Sequence, residues 1–145
     1  MSDADLIRLY SGRILELAAE IPHAGRLAHP QGTARRRSPV CGSMVTVDLT
    51  LAEGRVAEFA QEVRACALGQ ASASIMGRVL LGRTRAEVEA ARDALRAMLA
   101  EGGPVPAAPF DGYEVLRPAC AYRNRHASIL LALEAASEAF AAAAT

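Results

Sequence analysis

Neither lysine nor tryptophan occurs among the 145 residues. Every basic side chain is arginine, so chemistry through a Schiff-base lysine is excluded. Aromatic residues make up only 4% of the chain. Much of the 52% apolar content is alanine, which buries little area, so the core must come from Leu, Val and Ile. The formal net charge is zero, and no excess of either sign recommends nucleic acid or an anionic membrane as a partner. No apolar run approaches the ~20 residues of a membrane span. The acidic start, Met1 to Asp5, does not read as a secretory signal, so a cytoplasmic location is expected. Cysteine is scarce and odd in number, at three. In a reducing compartment such cysteines point to metal or sulfur chemistry rather than disulfides.

What is present suits one domain over residues 1–145. Asp5 to Ile21 reads as a helix capped by Asp3 and stopped by Pro22. A polar loop from His23 to Arg37 follows, and its end at Arg35, Arg36 and Arg37 is a short edge strand or a charged loop. Met44 to Leu51 alternates, with Val45, Val47, Leu49 and Leu51 on one face and Thr46, Asp48 and Thr50 on the other. That is a half-buried strand. Glu53-Gly54 is a turn, and Arg55 to Ala65 is the antiparallel partner, with Phe59 and Val63 on one face. Ala67 to Leu81 is a helix of small residues closed by Gly82. Thr84 and Glu87 form a capping box for a helix that ends near Glu101, before Gly102-Gly103-Pro104. Gly103 to Arg117 holds three prolines and reads as an irregular excursion. Pro118 opens a last helix that runs towards Ala143. The expected fold is α+β: a small, three-stranded, mostly antiparallel sheet packed by helices mainly on one face.

Two cysteines stand out by position. Cys41 precedes the first clear strand, and Cys66 ends the second, where the next helix begins. In an antiparallel hairpin those ends adjoin, so residues far apart in sequence meet in space. Gly42 and Gly69 beside them allow close backbone approach. The partial positive charge of a helix start favours the thiolate, the form that binds metal or attacks sulfur. Either cysteine alone reads as a packing residue; the pair reads as a site. His126 sits on the last helix, where a lone histidine is more often a surface residue than a ligand. Cys120, placed earlier on the same helix, reads as packing or surface. His23 and His29 are loop histidines without partners in spacing. Arg35–Arg37 is a solvated run or, in a sharper reading, a docking patch for an acidic partner.

Taken in order, these contexts resemble the IscU/SufU/NifU N-terminal iron–sulfur scaffold family. Val40-Cys41-Gly42 resembles its cysteine-glycine at a strand start. Ala65-Cys66-Ala67-Leu68-Gly69-Gln70-Ala71-Ser72-Ala73-Ser74-Ile75-Met76 resembles its second cysteine with small residues opening a helix. His126-Ala127-Ser128-Ile129-Leu130 resembles the form His-Cys-Ser-Ile-Leu. The 60-residue separation of Cys66 and His126 is longer than in IscU proteins and resembles the SufU insertion. Two positions depart from the pattern: Ala127 replaces the third cysteine, and Ser43 replaces an aspartate. The resemblance implies a SufE/NifU-like fold and a non-enzymatic scaffold or carrier. It implies partnership with a cysteine desulfurase and with Fe–S acceptor proteins, and no nucleic-acid or membrane partner. Cys41, Cys66 and His126 are the implied ligands of iron, or of a transient Fe–S cluster of the [2Fe–2S] kind, with Ser43 as a weak oxygen ligand. Two thiolates and an imidazole with one open position also suit zinc. A cluster would need an outside fourth ligand, from a partner, glutathione or Cys120. Two alternatives stay open: a zinc-bearing sulfur acceptor serving a desulfurase, and a degenerate paralogue that binds partners without metal.

Overall fold

The structure, a computed structural model, describes residues 12–39 and 42–143. Cys41 and the expected cap Asp3 lie outside the described residues. Helix α1 spans Arg13–Ala19, β1 Gly32–Arg37, β2 Met44–Ala52, β3 Arg55–Arg64, α2 Ala67–Gly77, α3 Arg85–Glu101 and α4 Arg123–Ala143. A segment of 3-10 turns, Phe110–Ala121, connects α3 to α4.

The three strands form one antiparallel sheet in the order β1-β2-β3. The hairpin forms as its sequence implies. Ala52 pairs with Arg55, and Glu53 and Gly54 take φ values of 54° and 76°. Two positive values in a two-residue loop match the twist of the flanking strands. Arg35–Arg37 resolves as strand rather than loop, paired with Met44–Thr46. One sheet face carries Val45, Val47, Leu49 and Phe59, all buried. Helix α4 packs on this face against β1 and β2, and α2 and α3 pack on α4. The result is a continuous apolar core that includes Leu68, Leu95, Leu99, Ile129 and Leu133.

Four expectations are corrected. Among the described residues the first helix begins at Arg13, after Gly12 with a φ of 55°, and α1 ends at Ala19 rather than Ile21. Helix α2 stops at Gly77, not Leu81. Beyond it the chain turns back to pair with β3: Val56 donates to the Arg83 carbonyl and Gly82 donates to the Val56 carbonyl. These bonds satisfy strand-edge groups that a longer helix would leave open. Pro118 does not open α4. It lies within the 3-10 segment, so Cys120 belongs to that segment and shares no helix with His126. Last, β2 is not half-buried. Thr46 and Asp48 on its second face are 2% and 0% exposed. The loop before β1 covers them: Arg26 Nε and Nη2 donate to the Asp48 carboxylate at 2.6 and 3.0 Å, and Leu27 N–H donates at 3.1 Å.

Two buried polar groups tie elements together. Gln61 stands opposite Val47 on the core face, and its Nε2 donates to the carbonyls of Ala73 and Pro22. Ser72 Oγ donates to the Ile129 carbonyl at 2.6 Å, and Tyr113 Oη donates to the Ser72 carbonyl at 2.9 Å. Those bonds join α2, α4 and the 3-10 segment around one point. Burial raises the Tyr113 pKa well above the usual phenol value, so the hydroxyl stays protonated.

Candidate sulfur and metal site

The sheet order brings the start of β2 beside the end of β3: Met44 pairs with Arg64. One residue before β2 is Ser43, and two residues after β3 is Cys66. Cys66 is the N-cap residue of α2, in extended backbone, and its carbonyl accepts from Gln70 N–H. Its side chain is half-buried. Ser38 N–H donates to the Ser43 carbonyl, and Gly42 N–H donates to the Ser38 carbonyl.

Cys66 meets a side chain of α4. Its Sγ lies 3.5 Å from Ser128 Oγ, and the Ser128 hydroxyl donates to Ser43 Oγ at 3.0 Å. Ser43 and Ser128 are both buried. A thiol and two hydroxyls thus form one chain across β2, α2 and α4. Gly69 is what allows it. A Cβ built there would stand 2.5 Å from Ser128 Oγ and 2.7 Å from Ala65 Cβ. The role read for Gly69 from sequence, close approach, therefore has a definite object in the Ser128 hydroxyl.

His126 sits two residues before Ser128, and side chains two apart on a helix do not share a face. Its Nε2 lies 2.9 Å from the Ala119 carbonyl. A carbonyl only accepts, so Nε2 carries a proton, and in the neutral ring Nδ1 is then the nitrogen with the lone pair. A backbone carbonyl holding the second ring nitrogen is the usual support of a histidine metal ligand. Ala127, in the place of the third cysteine, is half-buried. Among the described residues no group of three or more His, Cys, Asp or Glu is arranged to hold a metal ion. The described donors are Cys66, His126 and the Ser43 hydroxyl. Cys41 precedes Gly42 in the chain but lies outside the described residues. Ser128 was not singled out from sequence. Its only signal was its place after Ala127 in a matched motif, and what it touches depends on how α4 crosses α2.

A half-buried thiol caps α2 at a strand-to-helix junction, beside the Ser128 and Ser43 hydroxyls, at one end of the sheet of a small α+β domain. Residues 9–127 match the model of the NifU-like N-terminal domain, and the chain belongs to that family. A crystal structure of a NifU-like N-terminal protein from Brucella abortus is 43% identical, covers 97% of each chain and superposes with a TM-score of 0.93. A hypothetical protein shares 24% identity over 93% of this chain and 98% of its own, with a TM-score of 0.81. A Fervidobacterium islandicum protein, described as a candidate iron–sulfur assembly scaffold for the SUF system, is 19% identical. It covers 92% of this chain and 98% of its own, also at 0.81, and shows the fold alone. No curated protein matches.

Proposed function

We propose that the protein is a scaffold or carrier in iron–sulfur cluster assembly. It takes sulfur from a cysteine desulfurase, binds iron and hands on a transient cluster to acceptor proteins. Family membership supports this reading, and the observation that carries it is the placement of Cys66. The thiol is accessible, follows a strand directly and is aligned by Ser128. Sulfur transfer to it is a simple exchange. The Cys66 thiolate attacks the outer sulfur of the donor's persulfide, the donor's S–S bond breaks, and the donor leaves as a thiolate. Cys66 is left as the persulfide, with atoms and electrons balanced. Release of that sulfur as sulfide takes two electrons from an external thiol or dithiol. Cys41, Cys66 and His126 hold the cargo, and Ser43 supplies an oxygen where an aspartate stands in relatives of the scaffold type. With Ala127 in place of a third thiolate, retention is weak, which suits a protein that must release what it carries.

A second reading is favoured by the His126 geometry. A protonated Nε2 on the Ala119 carbonyl leaves Nδ1 free for zinc, with Cys41 and Cys66 as thiolate ligands. Bound there, zinc would orient a thiolate for sulfur acceptance rather than carry a cluster.

The test is metal content. The protein is purified anaerobically without chelator, and zinc, iron and acid-labile sulfide per chain are measured before and after reconstitution. Cys41→Ser and Cys66→Ser are run beside the wild type. Iron and sulfide that depend on both cysteines support the scaffold. Stoichiometric zinc that resists replacement moves the assignment to the zinc-bearing acceptor. No metal in any form sinks both.

A further inference from the structure

The chain is neutral overall, yet its charges are not evenly spread. In the first row of the sheet, Arg37, Met44 and Arg64 stand side by side, and in the next row Arg35 stands beside Thr46. Strand alternation puts all of them on the face opposite α4. Arg36, one residue out of phase, points instead to Glu134 and Glu138 of α4. Arg35, Arg37 and Arg64 are exposed, and among the described residues none of the three is paired with a carboxylate. Arg35 Nε donates to Thr46 Oγ1 at 3.0 Å, and an Arg37 amino group rests 4.0 Å from Met44 Sδ. By contrast the carboxylates of this face are engaged by other groups: Asp48 and Glu62 by Arg26, and Glu58 by Thr50. Arg64 is two residues from Cys66. The start of α4, which brings Ser128 to Cys66, carries Arg123 and Arg125 and no acidic residue in its first turn. Cations at a helix start oppose the helix dipole, so local stability does not explain them.

We propose that this arginine row, Arg37-Met44-Arg64 with Arg35 behind it, is a docking surface. Its occupant is a protein that presents carboxylates around the group that exchanges sulfur with Cys66. The proposal rests on the sulfur-acceptor reading of that cysteine. Arginine and methionine are the side chains that association surfaces favour. The guanidinium pairs with carboxylate through two parallel bonds and loses hydration readily. Met44 offers an adaptable apolar centre between the two flanking charges. A short row with Glu62 immediately behind it fits discrete carboxylates better than the continuous phosphates of nucleic acid or a lipid surface.

The experiment measures binding of the full chain to a purified cysteine desulfurase across a salt series. Wild type is compared with Arg37→Glu/Arg64→Glu and with Arg55→Glu/Arg85→Glu, an equal charge change outside the arginine row. Melting curves confirm that each variant folds. The row variant is expected to lose about tenfold or more in affinity at low salt, with the gap closing as salt rises, while the control stays within about threefold. Iron and sulfide loading without the desulfurase is measured separately and is expected to survive in the row variant. A failure of loading in the wild type would count against the scaffold reading and leave the docking result standing. Affinity of the row variant equal to that of the control overturns the proposal, as does a wild type that does not bind the desulfurase. Loss of binding to single-stranded RNA or anionic vesicles, with desulfurase binding unchanged, also overturns it.

Discussion

Glycine at position 69 sets the distance between α2 and Ser128. Gly69→Ala would gain helix propensity, which is worth about 1 kcal/mol. Its new methyl group, however, meets Ser128 Oγ at 2.5 Å and Ala65 Cβ at 2.7 Å. Overpacking of that kind costs roughly 1–3 kcal/mol, so the clash outweighs the propensity gain. Thermal melting should show a lower midpoint, and Cys66 alkylation should change because its Ser128 neighbour is displaced. A midpoint at or above wild type would mean that α2 and α4 separate freely here. Asp48 is a second residue-scale case. Burial pushes its carboxyl pKa upward, but hydrogen bonds from Arg26, Thr33 and Leu27 N–H outweigh that and hold it below the usual range. A carboxylate with a lowered folded pKa stabilises the protein above its unfolded value, about 3.9, and that support is lost as pH falls through the folded value. Asp48→Asn should therefore cost roughly 1–3 kcal/mol at neutral pH, with the gap to wild type narrowing below about pH 4. Denaturant titrations at pH 7 and pH 3 check the sign; a gap that does not narrow contradicts it.

At the scale of elements, local signals served well where they were self-contained. Thr84 Oγ1 accepts from Glu87 N–H at 3.2 Å, and the Glu87 carboxylate accepts from Thr84 N–H at 3.1 Å. Both partners lie within four residues, so the capping box was legible before any tertiary contact was known. Thr84→Ala should cost about 1 kcal/mol, read as a fall in denaturant midpoint without a change in slope. Gln61 shows the opposite case. From sequence it is one polar residue in a strand, yet it is fully buried and bridges β3 to the carbonyls of Ala73 and Pro22. Gln61→Ala removes the donor that both carbonyls share and opens a cavity, and a loss of roughly 2–3 kcal/mol is expected from equilibrium unfolding. The misplaced start of α4 has the same origin. Pro118 is a sound helix opener locally, but Tyr113 and Leu116 are buried on neighbouring elements, and their packing holds Phe110–Ala121 in 3-10 turns.

The whole molecule decides how the proposed chemistry is tuned. The sequence falls one thiolate short of the family pattern at Ala127, which lies half-buried between His126 and Ser128. Ala127→Cys should raise the iron and sulfide retained after anaerobic reconstitution and slow their loss to a chelator. Unchanged retention would place the limit elsewhere, in Ser43 or in the access of solvent.

Reading the residues alone was enough to establish β2 and β3, the hairpin turn and the capped α3. Each of these rests on alternation, turn chemistry or spacing that neighbours in sequence express. The antiparallel pairing also implied that the start of β2 and the end of β3 share one end of the sheet, as Met44 and Arg64 do. Other features depended on how elements cross. Only packing of α4 on α2 at Gly69 brings Ser128 to Cys66 and Ser43, and only the return of the loop over β2 buries Asp48 under Arg26. The turn of the 3-10 segment likewise sets His126 against Ala119. Those contacts join residues 7 to 85 positions apart. Their energies come from burial and close approach between elements, which no local pattern encodes.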